Sequence, residues 1–187
     1  VLALLIVTSD DVGLGWDEGN DVRRAAMAAE WFGTVGERGF AAFGRPVVEE
    51  YWGYGWIGHP SVTRIIHAIA GSAFSGFGSG PEFERWKVFR FGTYAAFAGL
   101  AVLVYCVGRR RFGSVDAGLA AALSLAFMPR MFGHAHIVET DMVLCALFAG
   151  AAFAFVGGVE KRWCSVLFGA MAGLLPAVKL TGVIALA

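Results

Sequence analysis

Apolar residues along this 187-residue chain gather in long blocks, not in the alternation of a strand or the single stripe of a soluble helix. Residues 91–108 and 142–159 carry no charge, 112–128 carry only Asp116, and 163–187 carry only Lys179. Each block approaches the roughly 20 apolar residues that a helix needs to cross a bilayer core. Transmembrane helices are therefore expected at 91–108, 112–128, 142–159 and 163–187. The opening run, 1–7, is too short to span and is expected to be the end of a first membrane helix in a longer protein.

Between that run and residue 91 lies a polar-to-mixed stretch, 8–90. Residues 19–37 are rich in Ala, Arg, Glu and Met and read as a helix, with Asp17 or Asn20 as its N-cap. A second helix is expected over 61–73, opening after His59-Pro60. Residues 71–80 are Gly- and Ser-rich and read as a loop. Tyr51, Trp52, Tyr54 and Trp56 form an aromatic cluster of the kind found where membrane meets water. One or two of these helices are expected to lie along the outer membrane surface.

Composition agrees with the blocks. The chain is 57% hydrophobic and 16% charged, against about a quarter charged in soluble domains. The expected fold class is an all-α integral membrane protein, a multi-pass helical bundle. Net charge is 0, so no nucleic-acid partner is expected. Cys106, Cys145 and Cys164 fall inside apolar blocks without a pairing pattern and read as small buried hydrophobes.

Short basic loops orient a membrane protein, because their Lys and Arg stay cytoplasmic. Arg109-Arg110-Arg111 and Lys161-Arg162 are such loops, and two expected helices separate them. Both can be cytoplasmic only if the segment between those helices, 129–141, lies on the far side. The 8–90 stretch then lies there too.

Candidate chemistry falls on that same face. Asp17 and Glu18 follow the first apolar run. A carboxylate at the interface can take a proton from a hydroxyl once burial tunes it. One of two adjacent acids works, and the other caps or orients. In the segment 129–141, Arg130, His134, His136, Glu139 and Asp141 crowd between apolar blocks, where polar groups are expensive and usually functional. An Arg fork suits a phosphate, and His can donate to one. Glu139 and Asp141 could share a face and hold a hard cation if the segment is extended. Asp141 also suits the N-cap of the next helix. Arg64 and His67, on one face of the expected 61–73 helix, are weaker candidates. Lys179, inside the last block, could snorkel or meet a phosphate.

Trp16-Asp17-Glu18 after a first membrane helix resembles the acidic motif of the glycosyltransferase C superfamily. His59-Pro60, then Pro129-Arg130-x-Phe132-x-His134-x-His136 and Thr140-Asp141, resemble glycosyltransferase family 39, which contains the protein O-mannosyltransferases. Lys179-Leu180-Thr181-Gly182 is similar to a Lys-containing helix of bacterial members. The resemblance implies a bundle of the glycosyltransferase C type with outer loop helices. It implies transfer of a sugar from a polyprenyl-phosphate-sugar donor to a protein, lipid or glycan acceptor. It places Asp17 as the catalytic base, with Glu18 beside it. His59, Arg130, His134, His136, Asp141 and Lys179 become substrate-binding candidates. Glu139 and Asp141 remain metal candidates, since some members use a divalent cation and others do not. The family's second Pro after His-Pro is Ser61 here, which favours a bacterial relative, its site on the periplasmic side of the inner membrane.

Two other functions fit an apolar bundle. A transporter would carry charges near the bilayer middle and paired broken helices, and a non-catalytic scaffold would not gather acids and His on one side. A bundle lacking several helices would expose polar groups to lipid, so a piece of this length is expected to be inactive alone.

Overall fold

The computed structural model describes residues 1–53, 61–77, 82–159 and 161–186. His59, Pro60, Tyr54 and Trp56 of the reading above lie outside them. Among the described residues every regular element is helical: α1 Leu2–Val7, α2 Glu18–Arg38, α3 Arg45–Trp52, α4 Ser61–Ala73, α5 Phe91–Phe112, α6 Val115–Ala126, α7 Pro129–Ala135, α8 Thr140–Gly158 and α9 Arg162–Val178, with short 3-10 segments between them.

Two of the expected spans hold as long apolar helices. Trp86–Phe112, the 3-10 approach plus α5, covers 27 residues, and α8 covers 19. α9 is apolar but shorter, at 17 residues. It runs back along α8, and α5 packs on both α6 and α8. Large apolar side chains such as Phe155, Val156, Trp163 and Val166 point outward from α8 and α9. An exposed apolar face of this extent is what lipid contact requires. Small residues allow close helix approach: a Cβ on Gly118 of α6 would meet the Tyr105 carbonyl oxygen of α5 at 2.8 Å. The three cysteines are free, but Cys106 and Cys145 are exposed on outward faces and only Cys164 is buried, a correction to the reading above.

Residues 112–128 and 129–141 hold two short helices with a bend between them. Gly113 ends α5 in the left-handed region (φ 65°), and Ser114 caps α6 by accepting from the Ala117 amide. α6 has 12 residues, about 18 Å at 1.5 Å each, short of a bilayer core. Met128 is extended (ψ 114°) because a residue before proline avoids helical backbone. Pro129 then starts α7, so the motif segment is largely helical and bends by 69° from α6.

α1, α5, α7 and α8 meet around Leu5, Tyr94, Phe97, Leu100, Ala135 and Met142. α2 packs on α4 beside that core. The site sits where these two groups join.

Candidate functional site

A buried arginine organises this end of the bundle. Arg90 stands at the start of α5, fully enclosed. A buried guanidinium must have every N–H answered. Its Nε donates to Glu18 Oε1 (2.8 Å), one terminal nitrogen donates to the Ser9 and Val12 carbonyls, and the other donates to the Gly13 carbonyl and Glu18 Oε2. The Trp86 ring lies 4.2 Å from the guanidinium.

Glu18 extends the same network. Its Oε1 also accepts from the Val138 amide (2.9 Å), and its Oε2 accepts from the Gly15 amide (2.9 Å). One carboxylate thus ties the 9–18 segment to α5 and to the turn after α7. Its oxygens are occupied and out of solvent, which leaves Asp17 as the solvent-exposed acid of the adjacent pair.

His136 is sealed in the same way. Its Nδ1 donates to the Phe132 carbonyl, and Nε2 is hydrogen-bonded with Thr8 Oγ1, each at 2.8 Å. The ring is fully buried, and both of its nitrogens are bonded within the fold. Thr93 Oγ1 donates to the Ile137 carbonyl, adding a further tie between α5 and this turn.

Around these anchors opens a cavity of about 350 Å³, lined by Asp17, Asn20, Asp21, Arg24, Glu139, Thr140, Asp141 and Lys179. Asp17 precedes α2 and Glu139 precedes α8, so two helix N-termini face the cavity. Neither residue caps through its side chain. The expected capping role of Asp141 is corrected too, since Glu139 holds that position. Asp17 is exposed, and its carboxylate makes no hydrogen bond or ion pair among the described residues. Lys179 Nζ donates to Asp141 Oδ1 at 2.5 Å, joining the end of α9 to the start of α8. Glu139 accepts from His134 Nδ1. Burial raises the Glu139 pKa, against the pull of His134; the like charge of Asp141 raises it further, and Lys179 lowers it.

The fold therefore gathers four of the expected site residues, Asp17, Glu139, Asp141 and Lys179, around one cavity. His134 reaches it through Glu139. Arg130 is exposed on α7 and lines neither this cavity nor its smaller neighbour. His59 lies outside the described residues. For the metal candidates, Glu139 is engaged by His134 and Asp141 by Lys179, and no group of three or more His, Cys, Asp or Glu among the described residues could hold an ion.

Sequence reasoning did not single out Arg90, Asp21 or Arg24. Asp17, Asp21 and Arg24 sit at i, i+4 and i+7, one face of α2, and that periodicity is the signal that could have found them. For Arg90, the signal is a charge at the mouth of an apolar block, which needs a buried acid as partner.

Residues 83–187 match the model of the family described as dolichyl-phosphate-mannose-protein mannosyltransferase. The match takes in Arg90, the 129–141 segment and Lys179, while Asp17 and α2 precede it. No curated protein and no solved structure matches the chain.

Proposed function

The chain belongs to the dolichyl-phosphate-mannose-protein mannosyltransferase family, and from that premise we propose that it moves a sugar from a polyprenyl-phosphate carrier to an acceptor in the cavity between α2 and α8. The observation that carries this reading is that the Asp17 carboxylate, without a partner among the described residues, shares one cavity with Lys179 and Asp141.

Three demands must be met at once. The donor's lipid tail stays in the bilayer, its phosphate sits at the interface, and the acceptor loses a proton. Outward apolar faces on α8 and α9 suit the tail. Lys179 and Arg24 supply positive charge for the phosphate as negative charge builds on it. Asp17 is the base. The acceptor oxygen attacks the anomeric carbon from the face opposite the phosphate. The bond from that carbon to the phosphate oxygen breaks, its electron pair stays on the polyprenyl phosphate, and the acceptor proton passes to Asp17. The sugar is inverted. Asp141 holds Lys179 in place until the phosphate competes for it.

Helix direction supports an extracytoplasmic site. The Lys179–Asp141 contact makes α8 and α9 antiparallel, so Lys161 and Arg162 lie at the end away from the cavity. Arg90 precedes α5 at the cavity end, and Arg109, Arg110 and Arg111 stand in its last turn, 19 to 21 residues later and about 30 Å away. With both basic turns cytoplasmic, the cavity opens on the extracytoplasmic side, the periplasmic face of a bacterial inner membrane.

The test is transfer of radiolabelled sugar from a polyprenyl-phosphate donor by the full-length protein in membranes. Label should reach an acceptor with the wild type and not with Asp17→Asn; equal transfer by both would overturn the reading.

A further inference from the structure

Beside the main cavity, between α2 and α4, lies a chamber of about 20 Å³ bounded by Arg24, Thr63, Arg64 and His67, with Asp21, Glu139 and Thr140 shared with or adjoining the larger space. Arg24 Nε, Thr63 Oγ1 and His67 Nε2 are buried there without a hydrogen-bond partner among the described residues. Arg24, Thr63 and His67 are each more than nine-tenths enclosed. Buried polar atoms are ordinarily paired with protein or ordered water. The three residues that carry these atoms all line one small chamber, which offers them a common cause.

Their chemistry selects the occupant. Arg24 already donates one terminal N–H to Asp21 Oδ1 (3.1 Å), and its Nε–H can only donate. His67 donates from Nδ1 to the Phe89 carbonyl (2.8 Å), so the neutral ring offers a bare acceptor at Nε2. Thr63 Oγ1 can do either. The occupant must therefore accept from Arg24, donate to His67 and meet a hydroxyl. A cation is disfavoured by the Arg24 and Arg64 guanidiniums, and an anion by the His67 lone pair and the Asp21 and Glu139 carboxylates. A buried water needs about 10–15 Å³ and typically makes three hydrogen bonds. The chamber exceeds the first figure but would not admit a phosphate group.

We propose that this chamber is a binding site for one ordered water molecule, which bridges Arg24 on α2 to Thr63 and His67 on α4. Burial lowers the His67 pKa, which keeps Nε2 an acceptor; the Phe89 carbonyl, the Glu139 backbone and the charges of Asp21 and Glu18 oppose the shift. Gly92 makes room for the ring: a Cβ there would meet His67 Nδ1 at 2.6 Å. The water fixes the Arg24 guanidinium, which lines both cavities, so Thr63 and His67 act as positioning residues for the larger site. This last consequence rests on the transfer reading; the water site itself does not.

The test is a structure of the full-length protein in a lipid nanodisc at a resolution that shows waters, for the wild type, Thr63→Val and Thr63→Ser, each with a melting temperature and donor KM. The wild type should show one peak within hydrogen-bond distance of Arg24 Nε, Thr63 Oγ1 and His67 Nε2. Thr63→Val should lower the melting temperature and raise donor KM roughly tenfold with kcat little changed, the loss of one buried hydrogen bond; Thr63→Ser should restore both. No peak in the wild type, a peak with the coordination of a metal ion or the shape of an oxyanion, or a Thr63→Val protein as stable as wild type would overturn the proposal. If the wild type transfers no sugar, the peak and the melting temperatures still decide the water site, while the transfer reading fails on its own.

Discussion

Arg90 grips Glu18 in a two-point contact, Nε to Oε1 at 2.8 Å and a terminal nitrogen to Oε2 at 2.9 Å, with both side chains fully buried. Removing one partner of such a pair leaves a buried charge without compensation. Glu18→Gln should therefore cost about 3–5 kcal/mol of stability, read as a lower melting temperature of the purified protein. A melting temperature within error of wild type would mean that Glu18 does not hold the 9–18 segment.

The neighbouring acid should behave in the opposite way. Asp17 is exposed, and its side chain makes no bond among the described residues. Asp17→Asn should leave stability within about 0.5 kcal/mol while kcat falls by about 10²–10⁴, the usual worth of a general base. Adjacent residues that separate so cleanly, one in melting and one in turnover, would distinguish anchoring from proton transfer.

Lys179 pairs with Asp141, and the two side chains are 31% and 52% exposed. A pair this open contributes at most about 1 kcal/mol to stability. Lys179→Met keeps much of the apolar stem and removes the charge. It should melt close to wild type and raise donor KM by about tenfold or more, the loss of a charge-assisted contact to phosphate. Unchanged KM would remove Lys179 from the donor site.

His67 predicts an acid limb in stability. Its pKa is lowered from 6.5, chiefly by burial. A depressed value means that the folded state prefers the neutral ring, so this contribution is complete above pH 6.5 and is lost as pH falls through the folded-state value. Thermal unfolding followed downward from about pH 7.5 should weaken below about 6.5. His67→Gln, which can still donate to the Phe89 carbonyl but cannot be protonated near these pH values, should flatten that part of the profile. Parallel profiles for the two proteins would assign the acid limb elsewhere.

Much of the helical plan was legible. The helix expected at 61–73 is Ser61–Ala73, and that expected at 19–37 is Glu18–Arg38. Both rest on local signals, composition and end residues, that survive folding. The spans at 91–108 and 142–159 were legible because a charge-free block has few other fates. Within 112–135 the bend was not legible, since hydropathy is blind to backbone direction and Met128 before Pro129 turns the chain between α6 and α7. The site was half legible. Asp17 and Asp141 could be placed on one face by counting helices between basic loops. The roles of Glu18 and His136 could not, because their partners, Arg90 and Thr8, lie 72 and 128 residues away. Pairing at that range is decided by packing, and residue type alone cannot tell a catalytic acid from one that anchors.

The central claim is that Asp17 and Asp141 face one cavity open to the extracytoplasmic side. Full-length protein with Cys106, Cys145 and Cys164 replaced by Ala and a single cysteine at position 17 or 141 can be treated in intact cells with a membrane-impermeant maleimide. Labelling of both positions without permeabilisation, with each slowed by added polyprenyl-phosphate sugar, is the expected result. If either position reacts only after the membrane is opened, the two acids do not share an outer site and the account is contradicted.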